Sequence, residues 1–100
     1  MYILNSFEWD SVKAENNFKK HGVLFETAIT VFSDHESIDI PDFKHSFNEQ
    51  RRKRIGKAIE NQVLVVIYTI RRIKDEKEKT RVISARKASY KERKIYSSST

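Results

Sequence analysis

The sequence predicts an α+β domain with two N-terminal helices, a four-stranded antiparallel sheet and a C-terminal helix. Three observations predict it. Apolar residues recur at three and four up to Phe32 and at two from Ser37 onward, which marks a change from helix to strand. Gln62–Ile70 is an apolar, β-branched run suited to the centre of a sheet. Ser89 followed three residues later by Glu92 is a capping-box signature placed after the last strand. With 100 residues there is room for one core, so we expect a single domain over residues 1–96 and a frayed tail over 97–100.

Tyr2–Trp9 alternates weakly and reads as an extended segment. Asp10 then caps a helix over Ser11–His21, with Trp9 placed to pack on Ala14 as a hydrophobic staple. Ala14, Phe18 and His21 share one face. Lys19, Lys20 and His21 suit the negative end of the helix, and Gly22 supplies a left-handed stop. Phe25, Ala28, Ile29 and Phe32 predict a second helix from about Glu26 to Phe32. Ser37–Ile40 reads as a strand stopped by Pro41, Asp42–Asn48 as a polar loop, and Arg51–Glu60 as a strand with a solvated face. The Gln62–Ile70 strand follows a turn at Glu60-Asn61. Arg72–Lys79 forms the next turn, or the projecting arms of a long hairpin, and Thr80–Ala85 returns as the last strand. The final helix runs to about Ser97. Phe25, Phe32 and Tyr68 belong to the core.

Charge is divided unevenly along the chain. Residues 1–50 hold four Lys/Arg against nine Asp/Glu, a balance of −5, and residues 51–100 hold sixteen against five, a balance of +11. A face that basic raises the local concentration of polyanions, nucleic acid foremost, although an acidic protein partner fits the same arithmetic. The absence of cysteine excludes disulfides, thiolate metal sites and thiol nucleophiles, and suggests a reducing compartment. No apolar run approaches the length of a membrane span and no signal peptide is evident, so a cytoplasmic protein is expected. With Gly22 and Gly56 as its two glycines, the chain cannot build a glycine-rich phosphate loop. Asp34, His35, Glu36, Asp39, Asp42 and His45 crowd one stretch but follow no metal-loop spacing, and no cofactor is expected.

Chemistry without metal or cofactor is available on RNA, whose 2′-hydroxyl can attack the adjacent phosphate if a protein positions it, moves a proton and stabilises the phosphorane. Arginine suits the last task. Arg51, Arg71, Arg81 and Arg86 lie in or at the ends of predicted strands, although each could equally be a solvated or salt-bridged surface residue. Strand alternation places Arg51 and Lys53 on one face and Arg52 and Arg54 on the other. His21 is either the proton-transfer group or a cation at a helix C-terminus. Glu92 and Tyr96 share a helix face; each has a structural alternative, the capping box for Glu92 and packing on the sheet for Tyr96.

Phe7-Glu8-Trp9-Asp10, Lys20-His21-Gly22-Val23, Phe25-Glu26, Val31-Phe32-Ser33-Asp34, Arg51 with Ile55-Gly56, and Arg81-Val82-Ile83-Ser84-Ala85-Arg86-Lys87-Ala88 with Glu92-Arg93 and Tyr96 together resemble the BrnT family, small toxins of type II toxin–antitoxin pairs. The resemblance spans about residues 7–96. It implies a RelE-like fold and a ribonuclease that blocks translation, held inactive by a BrnA-like antitoxin in an assembly of two toxins and two antitoxins. Operator DNA would be bound only through the antitoxin. The matching positions implied as active-site contributors are Lys20, His21, Arg51, Arg81, Arg86, Glu92 and Tyr96. Arg52 and Arg54 depart from the family, which commonly has apolar residues there, and Arg72–Lys79 is longer and more charged than its usual turn.

The function expected is that of a metal-independent endoribonuclease toxin. In it Arg51, Arg81 and Arg86 stabilise the scissile phosphate, His21 or Glu92 moves protons and Tyr96 orients substrate, with Lys20, Lys53, Arg71 and Lys87 as further substrate-binding residues. A non-catalytic basic nucleic-acid-binding module and a pure interaction subunit are the alternatives.

Overall fold

The computed structural model describes residues 6–45, 49–72 and 77–98. Its elements follow in the order β1 (Phe7–Glu8), α1 (Ser11–His21), α2 (Phe25–Ala28), a 3-10 segment (Ile29–Ser33), β2 (Ile38–Pro41), a 3-10 turn (Phe43–His45), β3 (Arg52–Lys57), β4 (Val63–Arg72), β5 (Glu78–Lys87) and α3 (Tyr90–Ser98). Among the described residues the fold is α+β, as expected, with three α-helices, but the sheet has five strands in the order β1-β5-β4-β3-β2. The expected four-stranded antiparallel sheet is therefore corrected. The N-terminal extended segment adds a two-residue strand that lies parallel to β5, with Phe7 opposite Thr80 and Glu8 opposite Arg81. A pair that short carries no readable alternation, and residues 2–5 of that segment lie outside the described residues.

Asp10 caps α1 as its position predicts, its Oδ1 accepting from Val12 N (2.8 Å) and Lys13 N (3.1 Å), and these donors hold its carboxyl below the usual carboxylate range. Gly22 ends the helix at φ 70°, with its N–H donating to Phe18 O. Trp9 meets Phe25 edge-to-face at 5.9 Å and, with Ala14, packs on the core. Phe18 does not join them and remains half exposed, since Asn17 takes the buried position on α1. The second helix is shorter than expected and tightens to 3-10 geometry at Ile29. Ile29, Thr30 and Val31 are β-branched in succession, which disfavours a further α-turn, and Thr30 Oγ1 donates to Thr27 O at 2.6 Å.

The two faces of the sheet are covered differently. On one, Leu64, Val66, Val82 and Ala85 pack against Phe25, Ala28, Ile29 and Val31, each withdrawn side chain as large as Leu or Phe contributing roughly 1.5–3 kcal/mol. On the other, Ile55 and Val65 meet Ala88 and Tyr96, so α3 covers only part of that face. Arg52 and Arg54 lie on the first face, as alternation predicts. Asp39 pairs with both, accepting from Arg52 Nε (2.6 Å), Arg54 Nη1 (3.1 Å) and the Tyr68 hydroxyl, while the Arg54 guanidinium lies over Phe32. Pro41 is itself the last paired residue of β2, opposite Arg52; as an edge strand β2 tolerates its missing N–H. β3 is shorter than expected, ending at Lys57, whereas α3 extends to Ser98 and takes in the first two residues of the expected tail. The arms β4 and β5 stay paired out to Arg72 opposite Glu78, which narrows the expected Arg72–Lys79 turn to residues 73–77; of these, 73–76 lie outside the described residues, as do 46–48 of the polar loop.

Gly56 is required by a close approach: a Cβ there would lie 2.8 Å from both Ser37 Cβ and Val31 Cγ1. Gly56→Ala is expected to lower stability by about 1–3 kcal/mol in a urea titration, because backbone-anchored neighbours on both sides must move.

Candidate functional site

The part of the second sheet face that α3 leaves open forms a groove of about 590 Å³, lined by His21, Asp42, Lys44, Arg51, Lys53, Ile67, Ile83, Ser84 and Arg86. Four Lys/Arg side chains and a histidine thus face one another across an apolar floor, with Asp42 as the carboxylate in the lining. His21, Arg51, Lys53 and Arg86 come from α1, the entry to β3, β3 itself and β5, and span sixty-five positions in the chain from residue 21 to residue 86.

Each is placed by an identifiable device. His21 ends α1, which is fixed to β5 through Asn17. The Asn17 Oδ1 accepts from Ala85 N (3.0 Å), and its Nδ2 donates to Ala85 O (2.9 Å) and Val23 O (3.1 Å). A side-chain amide thereby does for this edge of β5 what a neighbouring strand would do. Arg51 is pinned on both sides, by Thr69 Oγ1 donating to Gln50 O at 2.7 Å and by Asp42 N donating to Arg51 O at 2.8 Å. Its Nε lies 3.7 Å from Glu49 Oε1. Lys53 sits opposite Ile67, and Ile67 opposite Ser84, which places all three on the open face.

Arg86 is held by Glu92, its Nη1 and Nη2 donating to the two carboxylate oxygens at 2.7 and 2.8 Å. Glu92 also completes the capping box predicted for α3, accepting from Ser89 N at 2.8 Å while Ser89 Oγ accepts from Glu92 N at 3.2 Å. Chiefly through the Arg86 hydrogen bonds, the Glu92 carboxyl is lowered to about 2, and Arg86 is raised in return. A carboxyl held that low stays ionised at neutral pH and has no proton to donate as a general acid, and its two hydrogen bonds make it the anchor of Arg86. Because the folded value is depressed, the pair stabilises the fold above the ordinary glutamate pKa near 4.5, and that contribution is lost as pH falls toward 2. Wild-type protein is therefore expected to lose stability over this window in pH-dependent urea unfolding. Glu92→Gln should already be weaker by about 1–3 kcal/mol at neutral pH and show a flatter profile there.

A β-bulge accounts for Arg81. Strand alternation would put Arg81 and Arg86 on opposite faces, but Ile67 pairs with Ser84 and Tyr68 with Val82, leaving Ile83 as the extra residue. Thr69 then sits opposite Arg81 and Arg71 opposite Lys79, so Arg71, Arg81 and Arg86 share one face. Arg81 nevertheless lies outside the groove. Its Nη1 donates to Glu8 Oε2 at 2.8 Å, and Arg71 approaches the same oxygen at 3.5 Å. These two arginines continue the basic strip beyond Ser84, Arg81 by one rung of the sheet, about 7 Å, and Arg71 by two.

Besides Arg71, Arg81 and Glu92, three further expected site residues do not line the groove. Tyr96 is buried against Ile55 and Val65, and its hydroxyl donates to Asp34 Oδ2 at 2.6 Å; burial and that carboxylate push it up to about 12. It joins α3 to the loop before β2, away from the groove. Lys20 is exposed on α1 and does not line the groove, and Lys87 faces a separate hollow with Phe18 and Leu24. Sequence reasoning missed Lys44, which carried no motif, and Ser84, which stands in a resembling segment but was given no role, and read Asp42 only as a candidate metal ligand. The acid-rich stretch is dispersed: Asp39 holds arginines on the far face and Asp42 lines the groove. Asp34 accepts from Lys57 N, Glu36 N and Tyr96, and although burial alone would raise its pKa, those donors keep it low.

A family model described as the ribonuclease toxin BrnT of type II toxin–antitoxin systems matches residues 9–92. Among solved structures, the chain is similar to the Brucella abortus ribonuclease toxin BrnT, known from a 1.1 Å crystal structure. The two share 26% identity over 83% of this chain and 95% of that one, with a TM-score of 0.60. No curated protein sequence matches.

Proposed function

The chain belongs to the BrnT family of ribonuclease toxins of type II toxin–antitoxin systems, and from that premise we propose that it is a metal-independent endoribonuclease acting in the cytoplasm through the groove on the open sheet face. The observation that carries this reading is the convergence of His21, Arg51, Lys53 and Arg86 on one concavity. Arg51 and Arg86 hold the scissile phosphate and stabilise the charge that develops on it, and Lys53 and Lys44 hold adjoining phosphates. His21, the imidazole in the lining, transfers the proton of the 2′-hydroxyl or of the leaving oxygen. Arg71 and Arg81 extend the track for the RNA backbone. A lining richer in ammonium and guanidinium groups than in carboxylates suits a phosphate and not a hard cation.

In this reading RNA cleavage stops translation, and a cognate antitoxin, two copies with two toxins, neutralises it and supplies the contact to operator DNA. Residues 1–96 act as one toxin domain. The test is incubation of purified protein with RNA and EDTA beside His21→Ala, Arg51→Ala and Arg86→Ala. Cleavage that persists in EDTA and falls about 10²-fold or more in each variant is expected. Cleavage abolished by EDTA would contradict the metal-free route. Tight binding with intact RNA would make the protein a binding module.

A further inference from the structure

On the side of α3 away from the cationic groove lies a second, more apolar surface. It consists of two adjoining hollows of about 480 and 590 Å³ that share Lys57 in their walls. The first is walled by Ile59 at the β3–β4 turn, the second by Val63, Tyr90, Arg93 and Lys94. Ile59 is 75% exposed and Tyr90 66%, so the surface presents large apolar groups to solvent at both ends. Helical periodicity puts Tyr90, Arg93 and Lys94 on one face of α3 and Glu92, the anchor of Arg86, on nearly the opposite one. The two surfaces therefore flank the same helix without sharing a residue.

We propose that this surface docks an acidic amphipathic segment of the antitoxin, at a place that RNA does not use. The inference rests on the functional reading above for the existence of that partner. Charge selects the occupant. Lys57, Arg93 and Lys94 rim the surface, and Arg93 and Lys94 both lie over the Tyr90 ring, at 5.9 and 5.4 Å. The carboxylate in its lining, Asp34, is engaged by Lys57 N and the Tyr96 hydroxyl. An apolar floor with a positive rim matches a segment whose apolar anchors recur at three and four and whose flanks carry Asp or Glu. The walls at Ile59 and Val63 are aliphatic, and Arg93 and Lys94 lie over the Tyr90 ring, a lining that suits packed apolar side chains flanked by carboxylates better than a stacked nucleotide base.

The experiment titrates purified antitoxin calorimetrically into wild type, Ile59→Asp and Lys94→Glu, with RNA cleavage and sedimentation velocity measured on each. Both substitutions fall at exposed positions outside the cationic groove. Ile59→Asp is expected to weaken antitoxin binding at least about tenfold and Lys94→Glu several-fold, with RNA cleavage unchanged. Arg51→Ala should give the converse, lost cleavage with antitoxin affinity retained to within a few-fold. Wild-type affinity in both surface variants overturns the docking site and leaves the ribonuclease reading standing. Lost cleavage with unchanged antitoxin affinity assigns the surface to RNA, and a wild-type dimer that Ile59→Asp dissociates assigns it to a second copy; either overturns the proposal. A wild type that cleaves RNA but binds no antitoxin overturns both the site and the antitoxin half of the functional reading.

Discussion

Replacing Arg86 by lysine is expected to slow RNA cleavage by about 10²–10³-fold while the protein stays folded. The reason is geometric. Glu92 takes Nη1 and Nη2 of Arg86 at 2.7 and 2.8 Å and so fixes the plane of the guanidinium on the edge of the groove. A guanidinium has five N–H donors, and one bidentate pair leaves others for a phosphate oxygen. Substrate therefore joins an arginine already oriented by its carboxylate and need not break the pair to bind. A lysine ammonium keeps the charge and one bond to Glu92 but is free to rotate, so it loses the preorganisation on which transition-state stabilisation depends. The loss should fall on kcat more than on KM, with the urea midpoint shifted by no more than about 1 kcal/mol of equivalent stability. Cleavage within about threefold of wild type would show that Arg86 serves only to anchor α3. Glu92→Gln separates the two roles: an amide retains some of the hydrogen bonding but not the charge, and an anchoring role predicts a partial loss in kcat at unchanged RNA affinity.

The sequence made some of these features legible because their causes are local. The Asp10 cap, the Gly22 stop and the Ser89–Glu92 box each depend on residues within three or four positions of one another, and each stands where local chemistry puts it. The placement of Arg51 and Lys53 opposite to Arg52 and Arg54 follows from alternation within a single strand. What could not be read depends on pairing between distant segments. The bulge at Ile83 reverses the face of Arg81 relative to Arg86, and no residue type marks it. β1 exists only because β5 offers an edge beside it. The contacts of Glu92 with Arg86 and of Tyr96 with Asp34 were likewise not legible in the sequence. A carboxylate lowered to about 2 by an arginine and a phenol pushed to about 12 by burial beside Asp34 are consequences of tertiary contacts. Arg52 and Arg54 are accommodated in the same way, by a tertiary contact: Asp39, on the neighbouring strand, pairs with both.

Asn17→Ala is expected to destabilise the fold by about 3–5 kcal/mol, as much as truncating a buried core side chain. Asn17 is 7% exposed, and its amide serves three backbone groups: Ala85 N–H, Ala85 C=O and Val23 C=O. Truncation leaves all three without that partner beside a dry core, at a cost of roughly 1–3 kcal/mol for each group that water does not reach. Against a total stability of about 5–15 kcal/mol for a domain, this is a large fraction. Asn17→Asp tests the mechanism, since it preserves volume and the acceptor for Ala85 N–H but replaces the donor to two carbonyls with a negative charge. It should be no better tolerated than alanine. Equilibrium urea unfolding measures the change, and hydrogen exchange at the Ala85 amide locates it; a loss under about 1 kcal/mol, or unchanged exchange there, would mean that the β5 edge is held by its packing alone. The consequence reaches the groove, because the same amide fixes the end of α1 that carries His21 to the strand that carries Arg86. Where the variant remains folded, its cleavage rate should fall with no groove residue altered, through the lost registration of the proton-transfer group against the phosphate-binding arginine.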